Sequence, residues 1–394
     1  MYHPFCDDFG PMNMACTIRF IKQLDSALAS CASKSTGQLV ICVDAGRRSL
    51  TNAVMLLGSY LVLKNDMNLE QVVKCFAGIP LDLLEDFRDT THLPPDFGLT
   101  LRDCWGGLVQ GKQCGWLARP TCADSPLWGE IDIEEYEHDD SPSNADLHQV
   151  VPGKLIAFRG PRDLGGAMYA DDAARGTRKF SPAYFAGMFR EMSVSDVVQL
   201  NEEAYDARAF EDARIKHHAL AFDDCTEPPG PLVAAFLAIV GAAEGAVAVH
   251  CKAGLGRTGT LIAVWMMRSH GFTARTAMGW LRVMRPGSVI GAQQGFLCRV
   301  QRIREAQAAA RRAGMASAAF SSSSPGRLSA TGVAAPPTPA EPLSRVARGS
   351  ALAAKSSSSA AAAAAQVSAA LDRQGAARMR AGLARGREAR DHSV

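Results

Sequence analysis

Residues 246–262 read AVAVHCKAGLGRTGTLI. An apolar run, Ala246–His250, has the length and composition of a buried strand. Five residues then separate Cys251 from Arg257, and Thr258 opens an apolar stretch with helical character. Gly254 and Gly256 supply the backbone freedom that a tight cradle needs at a strand-to-helix junction. The stretch therefore predicts a strand, a concave turn lined by backbone N–H groups, and a helix whose positive end faces that turn.

Outward from this junction, residues 151–305 alternate between the two periodicities. Lys154–Phe158, Val194–Leu200 and Lys216–Phe222 read as further strands. Pro182–Met192, Pro231–Ala243, Thr258–His270, Ala274–Met284 and Gln293–Arg304 read as helices. Such alternation predicts an α/β domain, a central sheet flanked by helices, over residues 151–309. Residues 1–130 also mix patterns: Met12–Ser30, Arg48–Leu63, Leu69–Phe76 and Leu99–Cys114 look helical, and Leu39–Val43 looks like a short buried strand. A second compact α/β domain is expected there. Between the two, residues 131–150 (IDIEEYEHDDSPSNADLHQV) are acidic and hold a turn cluster, which predicts an interdomain linker. From 310 to 394 the chain is Ala, Ser, Arg, Gly and Pro, with an alanine run at Ala360–Ala365, and is expected to be disordered.

Charge follows this division. Residues 302–394 carry 13 Arg and one Lys against five acids, while the remainder has 28 bases and 35 acids. An acidic body suits basic partners, and a basic tail suits attachment to acidic surfaces. The eleven cysteines include no C-x-x-C pair and no zinc spacing, so free thiols and no metal are expected. The first twenty residues hold Asp7, Asp8 and Arg19 and no apolar run, so no secretory leader is expected. No apolar stretch has the roughly 20 residues of a membrane span.

The turn 251–257 has the chemistry of a phosphate site. Backbone amides of Lys252, Ala253, Gly254, Leu255 and Gly256 would converge on a dianion, with Arg257 binding two of its oxygens. The same field favours the thiolate form of Cys251, the nucleophile that attacks phosphorus. The Thr258 hydroxyl is placed to hydrogen-bond the cysteine sulfur and help it leave. His250 would orient the turn through backbone contacts. A general acid must protonate the leaving oxygen, and Asp223 and Asp224 in ALAFDDCTEPPG are the candidates. Gln293 and Gln294, on a later loop, could position the water of a second step. No organic cofactor is needed for this chemistry.

The run HCKAGLGRTGTLIA, followed by RPGSVIGAQQGFL, closely resembles the cell-division-cycle-fourteen dual-specificity phosphatase family. DFGPMNMA at 8–15, FRD at 87–89, DIEEYEHDD at 132–140 and VPGKLIAFRGP at 151–161 fit the same family, so the resemblance covers roughly residues 5–301. It implies two tandem phosphatase-like domains, the first without a catalytic loop and short at its N-terminus. It implies Cys251 as nucleophile, Arg257 as phosphate binder and Asp223 as general acid, with Asp224 in place of a usual glycine. It further implies phosphoserine–proline or phosphothreonine–proline substrates, and phosphotyrosine, with a basic residue a few positions on. Glu135 and Glu137, with Glu134 beside them, would line a groove for that basic residue. No nucleic-acid or membrane partner is implied; oligomeric state is left open. Roles in mitotic exit, cytokinesis or the cilium, at nucleus, nucleolus, spindle pole, centrosome or cytoplasm, come from the resemblance alone. Two other readings compete. A phosphoinositide phosphatase would carry a second lysine in the cradle where this chain has Leu255, and a phosphoprotein-binding scaffold would keep the cradle without turnover.

Overall fold

The computed structural model describes residues 2, 4–33, 39–92, 94–122, 125–173, 177–202 and 205–321. Residues Met1–Gln301 form one compact unit and Arg302–Val394 a second. In chain order the elements begin with helices α1 (Met14–Ser33), α2 (Arg47–Leu63), α3 (Leu69–Cys75) and α4 (Leu101–Gln113). A two-stranded ribbon, β1 (Leu127–Trp128) and β2 (Ile131–Asp132), leads to α5 (Ile133–Asp140). Strands β3 (Leu147–Val151) and β4 (Leu155–Arg159), the hairpin β5 (Tyr169–Asp172) and β6 (Thr177–Phe180), and helix α6 (Pro182–Glu191) come next. There follow β7 (Val194–Gln199), α7 (Arg208–Asp212), β8 (Lys216–Ala219), α8 (Gly230–Ala242), β9 (Ala246–Cys251), α9 (Gly256–Ser269), α10 (Ala274–Met284) and α11 (Ala292–Ser321).

The main sheet has the order β3-β4-β9-β7-β8. Only β3 runs antiparallel; the other neighbours are parallel. Strand β9 is central, and all six of its residues are buried. That explains its continuous apolar run: a parallel strand covered on both faces has no polar side. Alternation divides its partners. Phe158, Ile156, Ala246, Ala248 and Val197 join a core with Phe185, Phe189 and Phe210 from α6 and α7. The opposite face, with Leu155, Ala157, Val247 and Val249, is left for α9 and α10, which pack on this sheet. All parallel strands point their carboxyl ends to one edge, where β9 ends at Cys251. That edge is where open α/β sheets place their ligands.

Through Gln113 the elements of the N-terminal half are helices among the described residues, apart from an isolated Phe87–Leu99 bridge. Leu39–Val43 is therefore not the expected strand. Val40, Ile41 and Val43 are exposed, and no described strand lies beside them to complete a ladder. This half is joined to the C-terminal half by the crossing of α4 and α10. A Cβ at Gly107 would lie 2.5 Å from the Trp280 backbone nitrogen, and one at Gly279 would lie 2.5 Å from the Asp103 carbonyl. Two helix backbones meet there with no side chain between them.

The expected linker at 131–150 is a correction. It folds as β2, α5 and most of β3, so the main sheet starts at Leu147 and not after 150. Ile133, Tyr136 and Asp139 recur at helical spacing and are buried, and Tyr136 Oη donates to the Met284 carbonyl over 2.7 Å. One polar member of that stripe hid it from a reading of apolar periodicity. The tail boundary also moves: α11 continues through Ser321, past position 310. The remainder of the expected disordered tail, including the alanine run, lies outside the described residues.

Candidate active site

Cys251 closes β9 and is 3% exposed. The turn after it is shaped by two constraints. Gly254 has φ of +69°, and a Cβ there would lie 2.1 Å from the Phe158 carbonyl oxygen, so only glycine fits. Beneath the turn, the buried Arg285 donates from Nε to the Gly254 carbonyl and from Nη2 to the Ala253 carbonyl, both over 2.9 Å. In a planar trans peptide the C=O and N–H point opposite ways. Drawing these two carbonyls onto Arg285 therefore turns the N–H groups of Gly254 and Leu255 away from it, into the concave side. Helix α9 starts at Gly256 and adds its unpaired N-terminal amides.

Arg285 is itself tied down. Its Nη2 meets Asp146 Oδ1 at 2.7 Å, and its Nη1 donates to His148 Nδ1 at 2.9 Å. That bond requires the neutral ring, and burial indeed pushes the His148 pKa down. His148 Nε2 then faces Asp140 Oδ1 at 2.9 Å, so the acidic helix α5 reaches the turn through two intermediaries.

His250 is fully buried, and its Nδ1–H donates to the Cys251 carbonyl over 3.0 Å. Its Nε2 accepts from Tyr205 Oη at 2.8 Å, and Tyr205 Oη in turn meets His217 Nε2 at 3.0 Å. Desolvation drives the His250 pKa down to about 3, so the ring is neutral in the folded protein. This geometry gives His250 a backbone-orienting place, with Tyr205 as a support that the sequence did not suggest.

Arg257 is 5% exposed and donates from Nη1 to the carbonyls of Leu200 (3.2 Å) and Phe222 (2.8 Å). Its Nε lies 3.2 Å from Asp224 Oδ1, an ion pair without hydrogen-bond alignment. Of the two candidate acids, Asp224 is the one whose carboxylate lies beside Arg257. Asp223 is exposed, and its carboxylate makes no hydrogen bond or ion pair among the described residues; its carbonyl accepts from the Thr226 hydroxyl. The chain turns here, with Cys225 at φ of +58°, and the turn sends the two neighbouring carboxylates in different directions.

Thr258 is wholly buried, and its Oγ1 has no hydrogen-bond partner, so the expected bond to the Cys251 sulfur is not formed here. Thr258 Oγ1 and Arg257 Nε are thus two buried polar atoms at the turn with unused capacity, which suits an oxygen-rich ligand. Lys252 and Ala253 are exposed on the rim, whereas Leu255 is buried. Gln293 reaches the turn: a Cβ on Gly256 would lie 2.9 Å from its Oε1, and its Nε2 donates to the Thr226 carbonyl over 3.1 Å. Cysteine turn, acid loop and glutamine loop thus converge on one edge of the sheet.

The two groove glutamates part company. Glu137 is ion-paired with Arg19 of α1, so its charge is already met within the chain. Glu135 is exposed and accepts from Gln149 Nε2 over 3.3 Å. Partial desolvation of its carboxyl, and then the Asp139 charge nearby, raise its pKa. It lines an open cleft with Glu130, Asp132 and Asp139. Among the described residues no His, Cys, Asp and Glu cluster could hold a metal ion, and no helix is long and apolar enough to cross a membrane.

Two family models match the chain: the N-terminal half of dual specificity protein phosphatases over residues 1–111, and the Swiss Army Knife DSP-PTPase phosphatase domain over residues 187–307. The tyrosine-protein phosphatase cdc-14 of Caenorhabditis elegans is 36% identical over 310 residues, covering 76% of this chain and 41% of the relative. Human dual specificity protein phosphatase CDC14A is 36% identical over 297 residues, 75% of this chain and 47% of its own length. This chain belongs to the Cdc14 phosphatase family. Membership extends to fission yeast, whose Cdc14 homologue is 33% identical over 75% of this chain and 53% of the relative. The chain spans about half the length of the curated Cdc14 relatives it matches. It also aligns with the crystal structure of human DUSP28 at 18% identity and a TM-score of 0.29, over 40% of this chain and 94% of that one. As a Cdc14 family member the chain has two phosphatase domains, of which only the second carries the H-C-x5-R turn.

Proposed function

We propose that the chain is a cysteine-dependent dual-specificity protein phosphatase working through a cysteinyl-phosphate at Cys251. One observation carries this reading. The nucleophile sits in a turn whose amides are forced inward, beside a buried guanidinium and a buried hydroxyl with unused hydrogen-bonding capacity. The Cys251 sulfur attacks phosphorus while Arg257 and the turn amides hold the equatorial oxygens. Asp224, above Arg257, gives its proton to the departing serine, threonine or tyrosine oxygen. Gln293 then orients a water that attacks the cysteinyl-phosphate, with Asp224 accepting the proton.

Substrate choice is read from the family and the charge of the surface. The acidic cleft with Glu135 supports a peptide carrying Lys or Arg beyond a phosphoserine–proline or phosphothreonine–proline. Glu137 supports α1 through Arg19 instead. Such substrates fit reversal of cyclin-dependent kinase phosphorylation in cell-cycle exit, cytokinesis or ciliary processes, at the nucleus, spindle pole or cytoplasm. Leu255, buried in the turn, adds no cation for a multiply phosphorylated head group, which favours phosphoproteins over phosphoinositides. The test is rapid acid quench after mixing with a radiolabelled phosphopeptide. Label should be trapped on Cys251, and Cys251→Ser should bind the peptide without turnover. A Cys251→Ser enzyme of normal activity sinks the reading.

A further inference from the structure

The glutamine loop, residues 288–294, is held by side chains on both sides. From α10, the fully buried Arg282 donates from Nε to the Ser288 carbonyl (3.1 Å) and from Nη2 to the Val289 carbonyl (3.1 Å) and Gln294 Oε1 (2.6 Å). From the N-terminal half, Asp89 is 4% exposed and directs Oδ2 at two donors of the loop, Gly291 N–H at 2.6 Å and Gln294 Nε2 at 3.3 Å. Asp89 Oδ1 accepts from Thr91 Oγ1, and Arg282 Nη1 donates to the Phe87 carbonyl over 3.3 Å, so Asp89 is fixed on its own segment. Gln294 thus bridges a buried carboxylate and a buried guanidinium. Its neighbour Gln293 is fully buried against Gly256 of the cysteine turn.

We propose that Asp89 is a positioning residue for the second chemical step: the non-catalytic half sets the hydrolysis of the cysteinyl-phosphate by holding Gly291 and Gln294, and through them Gln293. The inference rests on the assignment of Gln293 to the water. In that step the water oxygen bonds to phosphorus, the phosphorus–sulfur bond breaks, sulfur leaves as thiolate and the water proton passes to Asp224. The groups of the first step, Cys251, Arg257 and Asp224, lie on β9, α9 and the acid loop, and none is hydrogen-bonded to Asp89 among the described residues. Loosening the glutamine loop therefore slows release of phosphate from sulfur and leaves its transfer to sulfur intact. This gives the first domain a chemical function although it has no catalytic turn of its own.

Pre-steady-state mixing with p-nitrophenyl phosphate separates the two steps. Asp89→Asn keeps the side-chain volume and an acceptor oxygen but removes the charge behind both Oδ2 contacts; Asp89→Ala removes both contacts. In both variants the nitrophenol burst per folded enzyme should persist while steady turnover falls, by about tenfold or more for Asp89→Ala, which loses both hydrogen bonds to a charged acceptor. Acid quench should show Cys251 phosphorylated at steady state, more in Asp89→Ala than in Asp89→Asn. Gln293→Ala is the control and should stall at the same intermediate. If Gln293→Ala stalls but Asp89→Asn and Asp89→Ala lose burst and turnover equally, Asp89 has no part in the second step and the proposal fails alone. If Gln293→Ala does not stall, the role given to Gln293 fails and the proposal falls with it.

Discussion

Arg285 Nε donates to the Gly254 carbonyl over 2.9 Å, which makes a fully buried guanidinium the floor of the cysteine turn. The same group reaches Ala253, Asp146 and His148, so it joins the turn to β3 and to the acidic segment before it. An arginine is needed because five fixed donors serve carbonyls in several directions; an ammonium is a point charge with no such plane.

Arg285→Met should therefore damage the site and the fold together. It leaves Asp146 and the two turn carbonyls without their donor. Stability should drop by about 3–5 kcal/mol, the cost of breaking a buried charged network from one side. Turnover of an aryl phosphate by the remaining folded enzyme should fall about a hundredfold or more, as inward amide geometry is lost. Arg285→Lys should recover part of the stability and little of the rate. Denaturant unfolding and kcat/KM measure the two effects.

The neighbouring aspartates make a sharper contrast. Asp224 sits 3.2 Å from Arg257 Nε, whereas the Asp223 carboxylate has no partner among the described residues. Asp224→Asn should lower kcat on a phosphoserine peptide about a hundredfold or more, the usual worth of a general acid. An aryl phosphate, whose leaving group needs no proton, should be slowed far less. Asp223→Asn should stay within about twofold on both substrates, as surface changes usually do. The reverse pattern would return the acid role to Asp223.

The α4–α10 crossing predicts that the halves unfold as one. A Cβ at Gly107 meets the Trp280 backbone at 2.5 Å, and backbone cannot swing aside as a side-chain tip can. Gly107→Val should cost about 3 kcal/mol by overpacking. The wild-type protein should show a single cooperative transition by tryptophan fluorescence and by far-ultraviolet dichroism, and Gly107→Val should separate the two curves.

What the sequence revealed depended on whether structure and chemistry were local. Strand β9, the turn and α9 form one continuous stretch, so apolar run, glycine spacing and helix start could be read together, and α10 was bounded correctly at Ala274–Met284. Strand β3 was missed because it lies against an acidic helix in a stretch that looked like a linker. Arg285 and Asp89 were missed because each acts on residues distant along the chain, 202 positions for Asp89 and Gly291. Asp224 was visible as a candidate, but only the direction of its side chain separates it from Asp223. Leu39–Val43 misled for the converse reason: a local strand-like run has no described neighbour to pair with.

His250 gives the fold a defined acid sensitivity. Its ring is fully buried and neutral, with Nδ1–H given to the Cys251 carbonyl and Nε2 accepting from Tyr205. Its pKa falls from 6.5 in the unfolded chain to about 3 in the fold, because desolvation opposes the charged ring. Below pH 6.5 the unfolded chain therefore takes up a proton that the folded protein refuses, and stability declines as pH falls. From this group the slope approaches about 1.4 kcal/mol per pH unit and flattens once the folded ring protonates. Burial also lowers His148, His217 and His270, which adds to the trend in the same direction. Replacing His250 with Asn removes its share of the slope while keeping a donor for the Cys251 carbonyl. Denaturant unfolding of both proteins between pH 7.5 and about pH 4.5, within the interval that linkage defines, should show the variant losing stability less steeply on acidification. Parallel curves would mean that the His250 ring is not held neutral by its burial behind the cysteine turn.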